Sequence, residues 1–457
     1  MRQGLGLSVP GSALSRRCLL RAGSLGAFGL NLAQLLRGEA VSASAVPAVR
    51  SCILIFYYGG PSHHDTWDMK PNAPREVRGE FRAIATNVPG IHVSEHMPHC
   101  ARVVDRLAIV RGLHHPMTNH NAAAFATLSG RPPLKGDLEL LGNDRNDPPC
   151  LGSMLSQQLP PRQDLPTFVA LPHVMHNVVK LPGQVAGFLG SMHEPFQVLR
   201  DPNAPDFRLD ELELPGDVSL DRLEHRESLL RFMDDQRYAA EQAAGLRGLD
   251  PYRAQASRFL RSEAVRRALR LDLEDPRLRD RYGRTKHGQS VLLARRLVEA
   301  GVRFVTVYDH ETNGQLANWD AHQDVFPRLK NDLLPPVDRA YAALIDDLDG
   351  SGLLDSTLVI ALGEFGRTPK INANGGRDHW PFCFSAILAG GGVRGGVVHG
   401  ASDKLGAYPE LDAVTPADLA ATLFDRFGLD PTTELRDLTG RPYRLAEGQP
   451  IRALFGS

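Results

Sequence analysis

The chain is short of the residues that build thiolate metal sites. Five cysteines occur among 457 residues, and none belongs to a CxxC pair. Cys18 stands in the N-terminal segment, and Cys52, Cys100, Cys150 and Cys383 are scattered along the rest. A zinc–thiolate centre is not expected, and disulfides are permitted but not required. An excess of charge of one sign is missing as well: 52 Lys and Arg face 53 Asp and Glu. That balance gives no footprint for nucleic acid and no polybasic run for a membrane surface. Internal repeats and low-complexity tracts are absent. So is a dinucleotide fingerprint at the end of a strand. GGGVRGG (390–396) has the wrong surroundings for one and reads as a strand-to-strand turn. What remains is ordinary globular composition, 42% hydrophobic and 23% charged, enough for one large domain or two smaller ones.

The first 45 residues read as an export signal. SRRCLLRAG (15–23) carries a twin arginine, AGSLGAFGLNLAQLL is a short apolar stretch, and VSASA ends at Ala45 in an Ala-x-Ala pattern. The apolar part is too short and too rich in glycine for a membrane span, so none is expected after signal removal. The twin-arginine route implies a periplasmic or cell-surface protein that is exported folded, which suits a metal loaded beforehand.

From residue 46 to 457 the pattern is that of one α/β domain. Near-continuous apolar runs at CILIFYY (52–58), LAIVRGL (107–113), TFVAL (167–171), VRFVTVY (302–308), TLVIAL (357–362) and FSAILAG (384–390) suit a mostly parallel sheet covered on both faces. Helical patterns at 288–301, 333–352 and 417–429 alternate with them. Residues about 195–287 are charged and strand-poor, and read as a helical insertion.

Ligands bind beyond the carboxyl ends of the strands of such sheets. The loops there are rich in imidazole and carboxylate: GGPSHHDTWD after the first strand, HHPMTNHN after the second, PHVMHN after the third, DHETNGQLANWDAHQD after the fourth, GEFGRT after the fifth, and RDHW just before the sixth. Ten of the 17 histidines lie in these six stretches. Imidazole with carboxylate is the ligand set of Zn²⁺ and related ions, so the loops predict a shared divalent-metal site. Asp320 and His322 of WDAH are two apart, which puts both on one side of an extended segment. Glu364 follows Gly363, a residue expected to let the backbone turn. Arg367 offers a planar fork for a tetrahedral oxyanion, or else a salt bridge within its loop.

YYGGPSHHDTWDMKP, HNAAAFATLSGR, YGRTKHGQSVLLARRLVEAGVRFVTV, NWDAHQDVFPRLK, LGEFGRTPKINANGGRDHWP and PADLAATLFDRFGLD occur in that order. In these segments the chain resembles the exported bacterial family catalogued as domain of unknown function 1501. That family is similar to sulfatases of the alkaline phosphatase superfamily. The resemblance implies a three-layer sandwich with a mostly parallel central sheet, and a metal-dependent hydrolase of phosphate or sulfate esters. By that likeness Asp320 and His322 stand for an Asp…His pair, Glu364 for a later acid, and His379 for the final metal histidine. Two departures follow. His120 stands where sulfatases carry the Cys or Ser that becomes formylglycine, so that chemistry is not expected. Gly59 and Gly60 stand where an acidic pair is expected, leaving Asp65 or His63 to supply that ligand.

The resulting expectation is one site from Asp320, His322 and His379 and a second, weaker one from Asp65, His120 and Glu364, with His63 an alternative to Asp65. The ion could be Zn, Mg, Ca or Mn. Arg367 would stabilise charge, and the attacking group could be water, His120 or Thr118. The substrate would be a small-molecule or glycan ester. The alternative is a catalytically retired, metal-containing binding protein for a sulfated glycan or an envelope partner. Nothing in the sequence specifies the oligomeric state.

Overall fold

A computed structural model describes residues 49–162, 165–209, 262–309 and 318–456. The segment expected to be an export signal, most of the one expected to be an insertion (210–261) and residues 310–317 with His310 and Glu311 lie outside the described residues.

Eight strands form the main sheet: β1 (Ser51–Phe56), β2 (Leu107–Leu113), β3 (Phe168–Leu171), β4 (Phe196–Gln197), β5 (Phe304–Tyr308), β6 (Thr357–Leu362), β7 (Phe384–Ala389) and β8 (Val397–His399). Their spatial order is β8-β2-β7-β6-β1-β5-β3-β4. β1 runs parallel to β5 and β6 on its two sides, and β3 pairs parallel with β4 and β5. β7 is the exception, antiparallel to both β2 and β6. That reversal matters for the site. A loop that precedes β7 arrives at the same edge as the loops that follow the parallel strands.

Period-two alternation divides the strands between two apolar layers. Ile53, Ile55 and Tyr57 enter one core, and Cys52, Leu54, Phe56 and Tyr58 enter the other. The first layer is covered by α3 (Glu263–Leu269), α5 (Lys286–Ala300) and α6 (Leu334–Gly350), with α4 (Pro276–Tyr282) against α5 and α6. The second is covered by α1 (His120–Ser129), α2 (Leu151–Gln158) and α7 (Pro416–Arg426). The result is a three-layer α/β sandwich.

Local sequence explains the helix ends. Thr285 caps α5 through Gly288 N–H, and Gly301 closes it at φ 113°. Thr415 and Asp418 form a reciprocal capping box on α7, with Pro416 at its first turn. The region expected to be a helical insertion begins with an edge strand, since Phe196 and Gln197 pair with Val169 and Ala170. Its described C-terminal part is helical and packs on α5. Cys52, Cys100, Cys150 and Cys383 are buried and free. Among the described residues no helix is long and apolar enough to cross a membrane.

Candidate metal centre

Three loops deliver a cluster of one carboxylate and three imidazoles at the carboxyl edge of the sheet. His120 is the first residue of α1, after β2. Asp320 and His322 follow β5. His379 sits in a two-residue strand that pairs with Gly366–Arg367 after β6. Asp320 Oδ1 lies 3.3 Å from His120 Nε2, 3.3 Å from His379 Nε2 and 2.9 Å from His322 Nε2. Ligand atoms of His120, Asp320 and His379 all lie within 4.8 Å of one another. His322 joins at the open side, its Nε2 3.1 Å from that of His379.

Each imidazole is oriented from behind. His120 Nδ1 is 2.6 Å from Glu364 Oε1, His322 Nδ1 is 2.8 Å from Asp378 Oδ1, and His379 Nδ1 is 2.9 Å from the Thr118 carbonyl. Carboxylates and carbonyls only accept, so each Nδ1 carries the hydrogen and each Nε2 presents a lone pair in the neutral ring. Three lone pairs and a carboxylate oxygen therefore converge with little to bond to one another. The buried His120 Nε2 has no aligned hydrogen-bond partner at all. Imidazoles backed by carboxylates or carbonyls, with their other nitrogen facing a common point, are the outer arrangement of metal-ligating histidines. The donor set of nitrogen and oxygen without sulfur suits Zn²⁺ and its neighbours in the first transition row. The residues thus fit a divalent cation.

Protonation competes for the same atoms. Burial opposes charge on His120, but its contacts with Asp320 and Glu364 outweigh burial and raise its pKa above the ordinary imidazole value. Burial lowers that of His379, helped by His120 and Arg367 against the pull of Asp320. For Asp320, burial is overcome by His120, His379 and Arg367, which hold its carboxyl well below the usual range.

The layer behind the cluster is closely defined. Glu364 is fully buried and accepts Gly59 N–H on Oε1 at 2.9 Å. His115 takes Met117 N–H on Nδ1 at 3.1 Å and gives its Nε2–H to the Glu364 carbonyl at 2.5 Å. Burial pushes the His115 pKa down to about 4. Gly59 has φ 111°, and a Cβ there would sit 2.5 Å from the backbone nitrogens of Trp319 and Asp320. Glycine is required by conformation and by the close approach of the Asp320 turn. Gly363 answers a different need than the turn expected of it. A Cβ there would meet Pro61 Cδ at 2.3 Å and the Tyr57 carbonyl at 2.8 Å.

Several expected site residues lie elsewhere or act differently. Asp65 is not beside His120 and Glu364. It is fully buried in a two-pronged pair with Arg377, at 2.8 and 3.0 Å. His63 gives its Nε2–H to the Gly406 carbonyl at 2.8 Å. Its neighbour His64 does the same to Leu405 at 2.7 Å. Neither Asp65 nor His63 belongs to the metal-capable group. Glu364 orients His120 rather than facing the cluster. Arg367 is buried, bonds the carbonyls of Gly59, Gly60 and Arg377, and reaches Asp320 Oδ1 at 2.5 Å. Its fork is occupied by the protein and is not offered to a substrate. Thr118 donates its hydroxyl to Asp137 Oδ2 at 2.6 Å. Asp137 also takes the N–H groups of Thr118 and Asn119, pinning the segment that orients His379 and starts α1. Sequence reasoning missed Asp137, which no motif marks. Asp378, expected as the alternative salt-bridge partner of Arg367, instead backs His322, and Arg367 pairs with Asp320.

The profile of the family described as "Protein of unknown function (DUF1501)" matches residues 49–455. No curated protein matches the chain. Similar solved structures include the PsFucS1 sulfatase from Pseudoalteromonas sp., at 13% identity and TM-score 0.36, covering 86% of this chain and 70% of that one. Another comes from a Bacteroides thetaiotaomicron locus for the metabolism of multiple glycosaminoglycans. It has 12% identity and TM-score 0.40, with 89% and 76% covered.

Proposed function

The chain belongs to the DUF1501 family, and we propose that it is an exported metal-dependent hydrolase of phosphate or sulfate esters, without a formylglycine nucleophile. The observation that carries the proposal is the set of three Nε2 atoms gathered around Asp320 Oδ1. His120, Asp320 and His379 would hold the ion, with His322 adjoining. Catalytic ions of this kind keep a position open, and here the open side is that of His322, whose side chain is 46% exposed. A divalent cation supplies Lewis acidity there, polarising an ester oxygen and acidifying water. Glu364, Asp378 and the Thr118 carbonyl fix the tautomer in which each neutral ring would turn the Nε2 lone pair toward the ion. Arg367 holds the Asp320 carboxylate charged and in place. The positive end of α1 at His120 favours an anionic group beside the cluster. The ester class follows from the motif-level resemblance to sulfatases of the alkaline phosphatase superfamily.

Metal analysis of the purified mature protein, with an ester panel assayed before and after chelation, tests the proposal. Bound ion and chelator-sensitive hydrolysis are expected. Full activity after metal removal rejects it. One observation favours a retired binding protein instead: the hydroxyl two residues before His120 in the chain, on Thr118, is engaged by Asp137. Retention of a sulfated polysaccharide without turnover of any ester, with the ion in place, selects that alternative.

A further inference from the structure

The turn that carries Asp320 is anchored by groups outside the cluster. Trp319 Nε1 donates to Asp309 Oδ2 at 2.6 Å, and Asn318 Nδ2 donates to the same oxygen at 2.8 Å. Asp309 follows β5 and is buried, and its Oδ1 lies 3.3 Å from Nδ1 of the buried His287 in the first turn of α5. Trp319 N–H bonds the Tyr58 carbonyl at 3.1 Å. Arg328 holds the carbonyls of Asn318 and Asp320 at 2.6 and 3.0 Å. Asp309 is not one of the three residues that could share an ion.

We infer that Asp309, which lies beside the buried His287 ring, is a positioning residue that sets the ligand geometry of Asp320 through Trp319 and Asn318. The inference rests on the metal-centre proposal above. Its physical basis is directional. A buried carboxylate accepting two N–H bonds on one oxygen makes strong, geometrically defined contacts. Both donors lie within two residues of the ligand, so the turn has little freedom to rotate Asp320 away. Displacements well under an ångström change metal affinity when the supporting layer is lost. The sequence segments KHGQS and NWDAH, far apart in the chain, acquire a joint role: one supplies the back wall, the other the ligand.

The test uses the intact mature protein titrated with Co²⁺, read by its visible absorption. Asp309→Ala is expected to bind Co²⁺ about ten-fold more weakly, with an altered ligand-field spectrum. Asp309→Asn keeps an acceptor oxygen and is expected to recover most of the affinity. Trp319→Phe removes only one donor and is expected to shift the spectrum in the same direction. It carries the test if Asp309→Ala does not fold. Wild-type affinity and spectrum in Trp319→Phe and in folded Asp309→Ala overturn the inference while leaving the metal centre standing. A wild-type protein that takes up no Co²⁺ overturns the metal centre, and the inference with it.

Discussion

Two acid–cation pairs, Asp65–Arg377 and Asp320–Arg367, show how similar sequence material serves two ends. Arg377 gives Nε and Nη2 to Asp65, and its other donors go to the carbonyls of Val77, Thr368 and Pro369. Asp65 also takes the Ser62 hydroxyl at 2.5 Å. Both residues are sealed from solvent. Asp320 also meets an arginine, but its Oδ1 faces three imidazole nitrogens besides, and its side chain keeps 22% of its surface exposed. The first pair is saturated and dry. The second has an excess of lone pairs and one open side. A saturated buried ion pair holds the loops of β1 and β7 together. A partly open one that also faces three imidazoles is ready for a ligand.

The largest expected effect breaks the saturated pair. Asp65→Ala leaves the Arg377 charge buried without its partner, and a loss of about 3–5 kcal/mol in unfolding free energy is expected by denaturant titration. Asp320→Ala should cost less stability in metal-free protein, because the Asp320 side chain is 22% exposed and water can take the place of its carboxylate beside Arg367, whereas the Asp65 site is closed to water. A metal-free Asp320→Ala as unstable as Asp65→Ala would erase the contrast between the two pairs.

Next comes pH. The neutral His115 ring satisfies both its neighbours, and folding holds its pKa at about 4 against an ordinary value near 6.5. The unfolded chain therefore takes up a proton first as pH falls. His115 should cost the fold about 3 kcal/mol between pH 7 and pH 4, most of it below pH 6.5. His115→Gln should flatten that part of the stability curve, and an unchanged pH profile would show that His115 does not titrate as argued.

The metal centre gives the third measure. Asp320→Ala or His379→Ala should lower ion affinity by about 100-fold or more, seen as lost stoichiometry after dialysis. Glu364→Gln touches only the back of His120 and should weaken binding by about ten-fold. A Glu364→Gln effect equal to that of Asp320→Ala would mean that Glu364 is itself a ligand.

The strand and helix pattern was largely legible because buried parallel strands write themselves as short apolar runs. LAIVRGL and TLVIAL coincide with β2 and β6. The direction of β7 was not legible, since FSAILAG looks the same in either sense. That direction is why RDHW, which precedes its strand, meets loops that follow theirs. Asp65 was indistinguishable from a ligand in the string SHHDTWD. Only the arrival of Arg377 from 312 positions away assigns it to an ion pair. Arg367 looked like an anion clamp for the same reason, because nothing local says that Gly59 and Gly60 offer it their carbonyls.

Taken alone, the sequence determined the alternation of strands and helices, the edge on which the polar loops gather, and the imidazole–carboxylate chemistry available there. Periodicity and residue type act over a few neighbours and survive in one dimension. The tertiary structure decided which carboxylate is sealed by its arginine and which keeps an open side and faces three imidazoles as well. Hydrogen-bond saturation depends on partners hundreds of residues distant, brought within three ångströms only by the folded sheet.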